Sequence, residues 1–486
     1  MNKETRIRKI AEIIQLTEKS DKPERIGVYW KDVNRSMLVC QIPLECLIYN
    51  KYNGRILSRT KSLESQGHII DAETKEGERK IDELLWQSKK NRNEITKIDI
   101  EKKGQLKVGI ITKDGIIIDG NRRVMLLNRI KKYDYFIAVV LPVELKDDPI
   151  EIEKLETTYQ MGEDEKLGYN PIEKYLKAKQ LYKKLNEQFD HKESINKIAD
   201  WMGEKPSEIK HYLGVVDIID RYLEYLGYDG IYSMADTHND GKEDLFLYLK
   251  KWIDTFKDKD VNGKDINKES DKGFDNYSLS DVDDLEIICF DYIRAKIGKS
   301  YDGKIFRSIA SGQKKNHFFG NKKIWDSFQN YHMQYIFPFL EKIDNTIPID
   351  YNSERLEAHL SDRDSKYRDA VLENLTKNIR THNTELGYNK ASDEPMELVS
   401  DARKALETTN QKHKSFSSSN VLNQVEVINQ ITTDMLNNES PKRLLSQIIN
   451  SLESVKLDSL ESREELLEKV AQINKISFEM KKKLGG

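Results

Sequence analysis

Runs of β-branched residues are confined to one stretch of the chain, about residues 37–145, and almost vanish after residue 150. This asymmetry constrains the fold strongly, because a sheet can form only where there are strands to build it. Four short runs carry the signal: MLVCQIPLECL, LKVGIIT, GIIID and YFIAVVLPVEL, separated by Gly, Asp and Lys, the punctuation expected between strands. Helical periodicity fills the stretches 77–96 and 121–131, and also 3–19, where Ile7, Ile10, Ile13, Ile14 and Leu16 recur near helical spacing. Strands mixed with helices in this way predict a small α+β domain. Downstream, helices are predicted at 150–161, 171–189, 194–202, 206–213 and 215–226, and the segment 254–284, dense in Asp, Lys, Asn and Gly, reads as an exposed loop. The expected fold class is therefore an N-terminal α+β domain followed by mainly α-helical domains. The expected division is 1–36 (helix and lead-in), 37–149 (α+β domain), 150–226 (helical), 227–345 (mainly helical, with the charged loop) and 346–486 (helical C-terminal region).

Composition supports several modest domains over one large core. Of 486 residues, 37% are hydrophobic and 34% charged, against about 25% charged in ordinary globular chains. The longest apolar run, Phe136–Val143, is interrupted by Pro142 and falls far short of the roughly 20 residues a membrane span requires. No apolar segment follows the basic residues of the N-terminus, so no secretory signal is expected. Cys40, Cys46 and Cys289 form no CxxC pair, which fits a reducing cytosol and argues against a disulfide framework or a cysteine zinc site. The nine His include no HExxH, and no GxxxxGKST loop occurs. DKDVNGKDINKE (258–269) has the acidic positions of a calcium loop, but Asp265 replaces the usual aliphatic residue; a charged surface loop is the simpler reading. The formal net charge is −3, so any nucleic-acid surface must be a local patch. Near the C-terminus, Val421, Val425, Ile428, Ile431 and Met435, then Leu445, Ile448, Leu452 and Val455, then Leu466, Val470, Ile473 and Ile476, recur at helical spacing. Two readings stay open for these helices: an antiparallel hairpin packed on its own chain, or a self-association module with charged flanks.

The stretch richest in chemistry is VGIITKDGIIIDGNRRVMLLNRI (108–130). A strand ends at Ile118, Asp119–Gly120 turns, and a helix opens at Asn121 with Arg122 and Arg123 in its first turn. Unsatisfied amides, the helix dipole and fixed guanidinium charge then converge on one point, which makes an anion site. Gly120 would let a phosphate approach the backbone. Arginines opening a surface helix are common, however, and neighbours decide the reading. Glu156 and Gln160 stand at i,i+4 on one helical face, a carboxylate and an amide able to hold a Mg²⁺ water shell or a triphosphate. Asn170–Pro171 starts the next helix. In SINKIADWMGEKPSEIKHYLGVVDII (194–219), Ala199, Gly203, Ile198, Met202, Ile209 and Tyr212 match helix-turn-helix spacing. Its second helix would present Lys205, Ser207, Lys210 and His211 to a major groove, unless the pair serves packing alone. YNKYNGRILSR (49–59) adds Arg55 and Arg59 on a Gly/Asn loop.

This order of a strand-rich domain, DGNRR turn, NPIEKY helix start and helix-turn-helix resembles the ParB/sulfiredoxin-like superfamily, with ParB partition proteins as well-known members, over roughly residues 37–226. DGNRR looks like the family's G-E-R-R nucleotide box, carried over onto Gly120, Arg122 and Arg123, with Asn121 where the box has Glu. Glu156 and Gln160 fall where the second box has its phosphate- and metal-side residues, and Asn170–Pro171–Ile172–Glu173 resembles its closing N-P-x-E. That second box is longer here than in typical ParB, and Thr157 sits where Asn is expected. The resemblance implies a nucleoside triphosphate, CTP or ATP, bound with Mg²⁺ by Gly120, Asn121, Arg122, Arg123, Gln160 and Arg55. Asp119, Arg122 and Glu156 would be the catalytic candidates, and Glu156 the metal ligand. It implies DNA and a second copy of the chain as partners, no membrane, and a cytoplasmic protein that is nucleoid-associated when on DNA. The D-G-x-x-R turn is closer to ParB-domain proteins of mobile elements and phage-defence loci than to chromosome-segregation ParB. Two alternatives stand beside this reading: a ParB-like nuclease or phosphodiesterase using the same pocket, and a non-enzymatic adaptor with a vestigial one. Sulfiredoxin chemistry is disfavoured, because its reactive Cys would fall at Asn121.

Overall fold

A computed structural model of the chain describes residues 1–162, 170–235, 242–259, 264–268, 270–296, 304–351, 355–391, 395–439, 441–455 and 463–485. Two compact units are present, Met1–Asp393 and Glu394–Gly486.

The first unit opens with α1 (Lys3–Glu18), β1 (Arg25–Trp30), β2 (Val33–Pro43), α2 (Leu57–Ser65), α3 (Lys75–Ser88), α4 (Lys90–Lys103), β3 (Gly109–Ile111), β4 (Ile117–Asp119), α5 (Asn121–Ile130) and β5 (Tyr135–Val140). The five strands form one mixed sheet in the order β1-β2-β5-β3-β4. All pairings are antiparallel except β3 with β5. Side chains of a strand alternate between faces, and both faces here are covered. Leu38, Cys40, Ile42, Phe136 and Ala138 pack with residues of α1, α3 and α5. Met37, Val39 and Val139 pack on the opposite side with Ile152 and Leu155 of α6 (Pro149–Thr157), which runs on into a single π turn, Thr158–Gly162.

This α+β region starts earlier than the sequence predicts. The hairpin between β1 and β2 turns at Lys31 and Asp32, whose φ angles are 53° and 60°. That is the left-handed geometry favoured in two-residue hairpins, here without the Gly that would announce it. One face of β1 and the start of β2 are exposed, so the apolar run begins only at Met37, where the sheet is covered.

Helices then take over: α7 (Pro171–Leu185), α8 (His191–Met202), α9 (Pro206–Tyr225), α10 (Lys242–Phe256), α11 (Leu279–Arg294), α12 (Lys304–Arg307), α13 (Lys322–Tyr335), α14 (Phe337–Thr346) and α15 (Leu356–Ala391). They share one continuous core. The two helices expected at 206–213 and 215–226 are a single helix, because Gly214 does not break it. The glycine faces the Lys250 side chain of α10, whose Cε would lie 2.5 Å from a Cβ there. The predicted loop 254–284 also needs correction. Lys257–Lys259 (β6) and Asp265–Asn267 (β7) pair as a hairpin, and Phe274 and Tyr277 are buried against Phe256 and Phe319. Of the calcium-loop pattern, 260–263 and 269 lie outside the described residues. The aromatic residues of 285–345, whose arrangement the sequence leaves open, form a buried cluster around Phe318, Phe319, Trp325 and Phe328.

The helix α15 closes the first unit, burying Leu360, Tyr367, Val371, Leu375 and Ile379. The second unit consists of α16 (Pro395–Glu407), α17 (Ser419–Glu439), α18 (Pro441–Glu453) and α19 (Arg463–Lys483), with Pro441 beginning a helix as its missing N–H requires. Among its described residues none is buried. Ile428, Ile431, Ile448, Leu452, Val470 and Ile473 are all exposed. No described helix is long and apolar enough to cross a membrane.

Candidate functional site

The start of α5 is held by two asparagines. Asn121 is buried; its Oδ1 accepts from the Asn50 N–H at 2.9 Å and its Nδ2 donates to the Ile117 carbonyl at 3.1 Å. It thereby ties the 49–56 loop to the strand–helix turn, and an acceptor-only carboxylate at this position could not make both bonds. Within that loop, Asn50 accepts from the Tyr52 N–H and Asn53 from the Arg55 N–H, two Asx turns that set where Arg55 leaves the backbone. The second asparagine is Asn93 on α4, which donates to the carbonyls of Leu85 and Trp86 at the end of α3 and accepts from Arg122 Nε. Thr96 adds a bond to Arg122 Nη2 at 3.3 Å.

Gly120 precedes the helix with φ 114°, and no side chain caps the first turn. A Cβ at this position would lie 2.4 Å from the Phe136 ring. The glycine is thus required by the sheet as well as by any approaching ligand.

Cations collect around this turn. Burial and the neighbouring Arg55 and Arg92 push Arg122 down to about 10. Burial, Arg55, Arg122 and Arg92 likewise lower Lys89. Four positive groups from the 49–56 loop, the α3–α4 junction and α5 therefore repel one another beside an uncapped helix N-terminus. A phosphate at this turn would relieve that repulsion and meet the amides of the first helical turn.

The other predicted site residues divide between this place and elsewhere. Arg123 turns away from Arg122: it pairs with Asp119, donates to the Lys107 carbonyl, and lies 5.8 Å from the Phe136 ring centroid. Asp119 is therefore engaged with Arg123 and Asn121 with the backbone. Gln160 donates to the Ile118 carbonyl at 3.0 Å and to Glu156 at 3.1 Å, which brings both beside the end of β4. Glu156 is buried with Lys177 Nζ 3.7 Å away. The same lysine lies 3.2 Å from Glu153, which also receives Lys184. Burial raises the Glu156 pKa against the pull of Lys177. Lys177 already compensates Glu156 and Arg123 compensates Asp119, so these carboxylates do not fit a metal. Among the described residues no group of three or more His, Cys, Asp or Glu could hold a metal ion. Glu173 accepts from the Ser58 N–H and hydroxyl, pinning α7 to the start of α2.

The predicted helix-turn-helix is α8, a turn at Gly203 (φ 67°) and α9. Ile198, Ala199, Met202, Ile209 and Tyr212 are buried as the spacing requires. Lys205, Ser207 and Lys210 are exposed at the start of α9, whereas His211 is half-buried, its pKa lowered by burial and by Lys250 of α10. Three of the four predicted contacts share an open face, and the fourth packs inward.

Sequence reasoning missed Lys89, Arg92, Asn93 and Thr96. They sit in KKNRNEIT, inside the stretch 77–96 expected to carry one helical periodicity; the structure instead ends α3 at Ser88 and begins α4 at Lys90.

Asn121→Asp removes the donation to Ile117 and leaves a carboxylate facing a carbonyl. It should cost about 1–3 kcal/mol, read as a lower urea midpoint with an unchanged m-value. An unaltered midpoint would show that the bracket is dispensable.

Comparison with protein-family models and with curated proteins finds no match for this chain.

Proposed function

We propose that this chain is a ParB-like, nucleotide-dependent DNA-binding protein, of the kind associated with mobile elements or phage defence. The observation that carries the reading is the gathering of Arg55, Lys89, Arg92 and Arg122 at the uncapped start of α5. The phosphate chain of a nucleoside triphosphate, CTP or ATP, sits on the amides of Asn121–Arg123 with Arg122 and Arg55 against its oxygens. Arg123, Asp119 and Asn121 shape this turn; Gln160 and Glu156 position it from α6 and the π turn. Because Asp119 and Glu156 are each paired with a base, binding is favoured over phosphodiester hydrolysis. The exposed start of α9 meets DNA. A nucleotide can gate that event only by binding one arrangement of the chain better than another.

A homodimer completes the reading. The apolar stripes of α17–α19 are exposed in the single chain and need a cover. In α19, Glu464 and Glu465 lie in the first turn and Lys481, Lys482 and Lys483 in the last. Antiparallel pairing of two copies would set each acidic end against a basic one.

Arg122→Ala should abolish binding of CTP, ATP and GTP in calorimetry while leaving the far-ultraviolet circular dichroism and melting profile cooperative; unchanged binding sinks the nucleotide assignment. For DNA, Lys205→Ala with Lys210→Ala should weaken duplex binding and lower the slope of log K against log salt by about 1–2, since each lost phosphate contact removes about 0.9. An unchanged slope would separate α9 from DNA. Ile428→Asp with Ile473→Asp should convert a dimer into a monomer by sedimentation velocity, and a monomeric parent protein would end the dimer proposal.

A further inference from the structure

A second basic feature lies apart from the α5 turn. Between α2 and α7 is a cavity of about 400 Å³ walled by Lys61, Lys179, Gln180, Lys183, Lys184 and Tyr232. Lys61 comes from α2 and the other lysines from successive turns of α7, so one helix face and a single opposing ammonium surround the space. Two of these charges are compensated, Lys179 by Asp220 and Lys184 by Glu153. Among the described residues Lys61 and Lys183 have no carboxylate within 4.0 Å, and Glu187 is the only carboxylate lining the cavity. The half-buried Lys61 is pushed down by burial and by Lys179, Lys183 and Lys184, with Glu64 opposing. The walls thus hold excess positive charge.

We propose that this cavity binds a small molecule carrying at least two phosphate groups, its phosphates on Lys61 and Lys183. Lysines serve as compact point charges for phosphate. The volume suits a sugar-sized ligand and is too small for a duplex. The site does not rest on the nucleotide reading, because neither Arg122 nor α5 lines it.

The test is calorimetry of the full chain with fructose 1,6-bisphosphate and with inorganic tripolyphosphate. The bisphosphate should bind, and Lys61→Met and Lys183→Met should each weaken it at least tenfold. Arg122→Ala should leave all of these affinities unchanged. Lys61→Met should also raise the melting temperature without ligand, since it removes a repelled charge; Lys183→Met, at an exposed position, covers the case in which the α2 variant fails to fold. No binding of either probe, full binding in both lysine variants, or loss through Arg122→Ala alone would overturn the proposal. So would lysine variants that lose duplex DNA binding but keep the bisphosphate.

Discussion

Like charges do not gather at one place unless the rest of the structure holds them there. Arg55, Lys89, Arg92 and Arg122 come from three separate segments, and burial together with repulsion from Arg55 and Arg92 weakens the hold of Arg122 on its proton. The opposing force is hydrogen bonding from two buried amides. Asn121 couples the Arg55 loop to the strand behind α5, and Asn93 couples Arg122 to the last carbonyls of α3. An amide is suited to this work because it both donates and accepts while adding no charge.

The same economy explains the carboxylates. Glu153 and Glu156 lie on one side of α6 with Lys177 between them and Lys184 beside Glu153. Burying two acids beside each other would ordinarily drive one to protonate. Burial raises both carboxyls; at Glu153 the lysines of α7 outweigh it and lower the pKa, whereas Glu156 stays raised. Through Gln160 this network reaches the Ile118 carbonyl, one residue before the turn that opens α5. Its contribution is mechanical: it locks α6 and α7 against the sheet.

How much of this was legible in the sequence differs by scale. The α+β region, the helical remainder and the helix-turn-helix core positions follow from periodicity, which reports burial directly. The DGNRR turn was visible because Gly, Asp and Arg mark a strand–helix junction. The partners of Arg122 were not, because Lys89, Arg92, Asn93 and Thr96 are polar residues in a polar helix and become a site only through a break between α3 and α4. Hairpin β1–β2 escaped for a related reason: its turn uses Lys31 and Asp32, and its outer face is wet. Arg123 shows the opposite limit. Its position beside Arg122 is plain in the sequence, yet adjacent residues on a helix point in different directions, and it folds back onto Asp119.

Phe136 joins several of these threads. Its ring fills the space that side chains would otherwise occupy at both Gly109 and Gly120, with a Cβ at either position coming within 2.4 Å of it. One aromatic side chain on β5 therefore dictates two glycines on neighbouring segments, one in the sheet and one in the turn that precedes Arg122. A smaller residue at 136 would lift only one of the bars at each position: Gly120 would stay fixed by its left-handed φ of 114°, and Gly109 by the Asp119 carbonyl oxygen, 2.9 Å from a Cβ there.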